Sequence, residues 1–276
     1  MKYRPSLPDN NDNVSHNHPL KEFFVLLSGL LIILLLVFWS FGYLVDFAVT
    51  KITPEKEAII FSKLNIKGDK DDKAPSDQQL VLQNITDSLR QCMDVPYPVT
   101  VQLIKSKHAN AGAFPGGSIV VFSGLLDKIK STNGVAFVLG HELGHYMNRD
   151  HLRSMGRGLV VLALSTIITG ANSDISKILA PAQDFGHARY SQKQESAADE
   201  AALHALNCYY GHVGGATEFF EVIKNEERIL DFKAMHYFSS HPEMKKRIDD
   251  VKSLAQTMGF QSKEVIELPA DFYTLD

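Results

Sequence analysis

The chain has 276 residues, 45% apolar and 22% charged, with a net charge of −4, the composition of a globular protein with one membrane segment. That charge and the absence of a basic stripe exclude nucleic acid as a partner. Its two cysteines, Cys92 and Cys208, are too few for a zinc site or a disulfide scaffold, and stand either as one bridge in an exported domain or as two small buried thiols.

Residues 1–22 scatter Pro, Asn, Asp and His without period and read as a disordered tail in which His16 and His18 are solvated. Phe23 to Val45 then runs without a charge, rich in Leu, Ile, Val and Phe, with Trp39 and Tyr43 near its far end. At about 1.5 Å per residue such a helix spans a hydrocarbon core, and its aromatics suit the interface. The run is longer than the apolar region of a signal peptide and no small-residue cleavage site follows, so residues 23–45 are expected to stay in the lipid bilayer as a transmembrane helix. Lys2, Arg4 and Lys21 on one side balance Lys51, Lys56 and Lys63 on the other, which leaves orientation open.

Residues 46–75 form a connection, with a juxtamembrane helix over Pro54–Leu64 and a polar linker from Lys67 to Pro75. The remaining 76–276 make one domain. Leu80 to Met93 has helical spacing, Val99–Ile104 and Ser118–Phe122 are the strand candidates, and nearly everything later reads as helix. The fold class is therefore α+β, predominantly helical, with a small β-sheet. Pro115-Gly116-Gly117 gives a tight entry to the β-prone Ser118–Phe122.

His141-Glu142-Leu143-Gly144-His145 lies in an apolar helical run led by Val135–Leu139, with Ser131, Thr132 or Asn133 to cap it. Two histidines four apart share a helix face and can meet one metal ion, while Glu142 stands at the flank where a general base is needed. A catalytic zinc needs a third protein ligand and an open position. His151 has metzincin-like spacing, but Asn148 stands where that turn requires Gly, and no methionine turn follows. Glu195, in Glu195-Ser196-Ala197-Ala198-Asp199, is the alternative. Asp199, one turn on, is then placed to accept the outer N–H of a ligand imidazole, and the alanines permit close helix approach. Between the two motifs, Gly158–Ser173 is apolar but too short to cross a membrane comfortably, and is read as a buried or membrane-skimming helix.

These motifs, followed by Ser239-Ser240-His241-Pro242 and Arg247-Ile248 and preceded by Asn110–Val121 and Gly124-Leu125-Leu126, resemble the gluzincin zinc endopeptidases of the HtpX, BepA and CAAX-prenyl protease type over residues 76–255. The resemblance implies a zincin-type domain behind a membrane anchor. It makes His141, His145 and Glu195 the ligands of one Zn2+, Glu142 the base and acid, Asp199 the partner behind a ligand, and His241 the residue that stabilises the oxyanion. Residues from Pro115 to Phe122 become the strand along which substrate lies, with Gly116, Gly117, Ser118, Ile119 and Val120 as contacts. Arg247 either supports His241, pairs with an acidic neighbour or forms a surface salt bridge. Gly112 and Gln192 depart from the family pattern, which has a bulky apolar residue and an Arg there; neither is a ligand.

The chemistry expected is metal-assisted amide hydrolysis of a protein or peptide substrate, with Glu142 moving the proton from water to the leaving nitrogen. The resemblance suggests misfolded or membrane-associated proteins as substrates and a catalytic domain on the non-cytoplasmic, periplasmic side. A zinc-binding chaperone or scaffold with idle proteolysis, and a secreted soluble protease freed of its first 45 residues, are the alternative classes.

Overall fold

The structure, a computed structural model, describes residues 19–61, 75–107, 109–169, 190–227, 244–269 and 272, in two units that divide between Leu44 and Val45. Helix α1 (Pro19–Lys51) supplies the first unit and runs past its boundary. Pro19 starts it where a missing N–H is harmless, Glu22 lies in the first turn and Lys51 in the last, each charge complementing the helix dipole. Pro19–Glu22, expected in the tail, and Asp46–Lys51, expected in the connection, are therefore helical. By length and composition α1 can cross a membrane, and Val49 is its one buried residue.

The second unit begins with the end of α1 and the short α2 (Pro54–Phe61); residues 62–74, which hold the expected linker, lie outside the described residues. Helix α3 (Asp77–Cys92) starts where the Ser76 hydroxyl accepts the Gln79 amide, and it buries Leu82, Ile85 and Leu89 along one face.

Strands β1 (Thr100–Ile104), β2 (Ala111–Phe114) and β3 (Ser118–Phe122) form a sheet in the order β1-β3-β2. β3 runs parallel to β1, with Val101 opposite Ile119, and antiparallel to β2, with Ala113 opposite Ile119. This corrects the sequence reading: Ser118, Ile119 and Val120 sit on the central strand, whose backbone is used on both sides and cannot receive a peptide. The edge toward the later helices belongs to β2, a strand of Ala-Gly-Ala-Phe held by pairing rather than by β-prone side chains.

After α4 (Ser123–Leu126) comes α5 (Thr132–Met147), which is buried at every residue from Asn133 to Tyr146. Its first turn is capped by the Ser131 hydroxyl, which accepts the Gly134 amide at 2.9 Å. Helices α6 (Asp150–Thr169), α7 (Gln192–Tyr210), α8 (Glu218–Glu227) and α9 (Met244–Thr257) follow. In the apolar run, side chains from residue 161 onward and all of 170–173 lie outside the described residues. Helix α7 opens on a capping box between Ser191 and Gln194 and packs against α5. Contact is close because α5 has Gly140 and Gly144 facing Ala202 and Ala198: a Cβ on Gly144 would lie 2.9 Å from the Ala198 Cα. A Cys92–Cys208 disulfide, with Cα atoms 5.9 Å apart, joins the last turn of α3 to the last turns of α7.

Candidate metal centre

His141, Glu142 and His145, on α5, are buried in the protein, exposed by 1% or less. Helical spacing brings the two Nε2 atoms to 3.1 Å, with the rings edge to face. From α7, Glu195 reaches both: one carboxylate oxygen lies 3.6 Å from His141 Nε2 and the other 3.4 Å from His145 Nε2. Donors about 2.0–2.2 Å from a tetrahedral ion stand about 3.3–3.6 Å from one another. The two imidazole–carboxylate separations fall in that range and the 3.1 Å between the imidazoles lies just below it; two imidazoles with one carboxylate suit a divalent cation of intermediate softness. His151, the other third-ligand candidate, is turned elsewhere: its Nε2 meets Glu57 Oε1 at 2.9 Å and its ring stacks on Tyr146.

Behind each histidine stands a carboxylate. His141 Nδ1 lies 2.9 Å from Asp199 Oδ1, where the sequence reading placed Asp199. His145 Nδ1 lies 3.0 Å from Asp150 Oδ2, a partner the sequence reading missed. Asp150 is held in turn by Gln194 Nε2 at 2.6 Å. Such contacts fix the tautomer with the proton on Nδ1 and leave Nε2 to coordinate. Tyr190 stacks on His145 at 3.8 Å between ring centroids, a second contact that no spacing announced.

Arg247 on α9 is buried, which excludes the surface salt bridge. Its guanidinium forks onto Asp199 through Nε and Nη2, and its Nη1 lies 2.7 Å from Glu195 Oε2. The Phe220 ring lies 4.4 Å below it. Burial opposes the Asp199 charge, but Arg247 and His141 outweigh it and hold the carboxyl below its usual range. Burial and the Arg247 charge push His141 down. On His145 burial acts the same way, yet Asp150 and Glu195 overcome it and push the imidazole up to about 9.

Glu142 Oε2 accepts the amide of Ala113 at 3.0 Å. In an antiparallel ladder alternate residues turn both backbone groups away from the partner strand. Ala111 and Ala113 are those residues on β2, so the outer edge of β2 faces the Glu142 carboxylate. Gly116 and Gly117 form the turn between β2 and β3 and carry none of this edge. His241 lies outside the described residues.

Residues 76–255 match the family model described as peptidase family M48. Among curated proteins, the chain is 29% identical over 154 residues to the mitochondrial metalloendopeptidase OMA1 of Schizosaccharomyces pombe, covering 55% of this chain and 45% of that protein. It is 29% identical over 162 residues to the metalloprotease YcaL of Escherichia coli, covering 56% and 61%. With the putative beta-barrel assembly-enhancing protease of Vibrio cholerae it shares 27% over 175 residues, covering 59% and 36%. The chain thus spans less than two thirds of each of these relatives.

Proposed function

Because the chain belongs to peptidase family M48, we propose that it is a membrane-anchored zinc metalloendopeptidase, with α1 as the anchor and residues 76–276 as the catalytic domain. The observation that carries this reading is the triangle of His141 Nε2, His145 Nε2 and Glu195 carboxylate at 3.1–3.6 Å, with Glu142 beside it. Zinc held by these three side chains supplies a Lewis acid that polarises the scissile carbonyl and acidifies water.

This chain's own residues do the rest. Glu142, oriented by the Ala113 amide, takes a proton from the attacking water on its carboxylate and passes it to the leaving nitrogen. Asp199 and Asp150 hold the imidazoles. An extended substrate segment lies along the outer edge of β2, where the carbonyls of Ala111 and Ala113 accept its amides and side-chain selectivity is broad. His241 donates to the developing oxyanion; Arg247, six residues later in the chain, reaches Glu195. The Cys92–Cys208 bond supports placing the catalytic domain in an oxidising, non-cytoplasmic compartment. Misfolded or membrane-associated proteins are the proposed substrates, in line with the relative named for β-barrel assembly.

Metal analysis together with cleavage of an unfolded protein such as casein tests this. One zinc per chain and cleavage abolished by chelator are expected. A metal-loaded chain that leaves casein and extended peptides intact overturns the endopeptidase reading.

A further inference from the structure

The family-matched region starts at residue 76, yet a carboxylate from outside it is driven into the domain. Glu57, on α2, is fully buried. A buried carboxylate is costly unless its oxygens are met, and here they are met from two directions. Oε1 accepts the Gly116 amide at 2.9 Å and the His151 Nε2 proton at 2.9 Å, while Oε2 pairs with Arg149 Nη2 at 2.8 Å.

The first direction is the turn that ends the peptide edge. Gly116 follows β2 by two residues and has φ +92°, a conformation open to glycine. Phe61 on the same helix presses on it, since a Cβ at Gly116 would lie 3.3 Å from the Phe61 Cβ. The second direction is the junction of α5 and α6. Arg149 and His151 flank Asp150, the partner of His145, and Tyr146, the next residue after His145, stacks on His151. Glu57 therefore ties the end of β2 to the segment that holds a metal-ligand imidazole.

We propose that Glu57 is a positioning residue for substrate: it fixes the β2–β3 turn and through it the register of Ala111 and Ala113 against Glu142. This rests on the reading of β2 as the peptide edge. Its consequence is that the site is complete only with a helix that lies outside the family-matched region.

The test uses the full-length, zinc-loaded chain in detergent with a quenched-fluorescent extended peptide. Glu57→Gln keeps the shape and removes the charge. It is expected to raise KM about tenfold while kcat falls less than about threefold, because pairing along the whole edge is weakened while Glu142 loses only part of its orientation by the Ala113 amide. Zinc content is expected to match the wild type. Glu57→Asp keeps the charge for Arg149, withdraws the oxygen from Gly116 and is expected to raise KM to an intermediate value; it carries the test by itself if Glu57→Gln does not fold. Unchanged KM in the folded variant overturns the proposal, as does a smaller active fraction at unchanged KM, which is the mark of a merely structural role. A wild-type chain without chelator-sensitive cleavage overturns the endopeptidase reading as well, whereas wild-type cleavage with an indifferent Glu57 overturns this inference alone.

Discussion

Gly144 on α5 and Ala198 on α7 touch so closely that a single added carbon has nowhere to go: a Cβ on Gly144 would stand 2.9 Å from the Ala198 Cα and 3.2 Å from its carbonyl oxygen. Both residues lie inside the metal motifs, one before His145 and three after Glu195. Their contact sets the distance across which Glu195 meets the histidine pair. Gly144→Ala is expected to cost about 1–3 kcal/mol of stability and to lower zinc affinity, because α7 must retreat. Gly140→Ala, whose Cβ would meet Ala202 at 3.3 Å, is expected to be milder. Thermal unfolding and zinc titration of the two variants check the ranking.

Glu142 lies beside the proposed ligands and is proposed as the base rather than as one of them. Glu142→Gln is expected to retain one zinc per chain and to lower kcat by about 10²–10⁴-fold, measured by metal analysis and peptide cleavage on one preparation. Loss of zinc in this variant would place Glu142 among the ligands instead.

Asp150 holds His145 Nδ1 at 3.0 Å and is held by Gln194. Asp150→Asn is expected to reduce zinc affinity about 10–100-fold, read by competition with a chromophoric chelator. Gln194→Ala, one step further out, is expected to weaken it less.

The Glu57 carboxyl is subject to burial, which opposes its charge, but His151, the Gly116 amide and Arg149 outweigh burial and hold it below its usual value. A carboxyl depressed in the folded chain contributes stability that is complete above the unfolded value of about 4.3 and is lost as pH falls through the folded value. Wild type is therefore expected to be more stable than Glu57→Gln at pH 6–7, with the gap closing below about pH 4. Denaturant midpoints of both proteins across that range check the sign.

Reducing the Cys92–Cys208 bond, which spans 116 residues of sequence, is expected to lower stability by about 2–4 kcal/mol. Unfolding with and without reductant measures it. Non-reducing electrophoresis of the alkylated protein from membranes reports whether the bond exists where the chain resides.

The candidate metal site was legible where its information is local. Two histidines at i, i+4, and Glu195 and Asp199 at i, i+4, each declare a helix face, and the structure brings both faces together. Asp150 was not legible, because the chain leaves α5 through Arg149 at φ +60° and no spacing rule follows that bend. Arg247 was singled out and pairing with an acidic neighbour was among its expected roles, but which carboxylates, 48 and 52 residues earlier, was not legible, and neither was Glu57, 59 residues from the amide it accepts. For β3 the sequence reading found a strand and misplaced it in the sheet. The signal was present: Ser-Ile-Val-Val-Phe is almost continuously buried, the pattern of a strand with neighbours on both sides. β2 escaped because Ala-Gly-Ala carries little strand preference by itself.

Helix α7 carries Glu195 near its start and Cys208 near its end, thirteen positions apart and so about 20 Å along the axis. The sulfur atoms are spent in a covalent bond at the far pole of the helix. Soft ions such as copper(I), which favour thiolate over imidazole and carboxylate, consequently find no sulfur donor from cysteine on this chain, and the harder donor set is left to choose its ion without that competition.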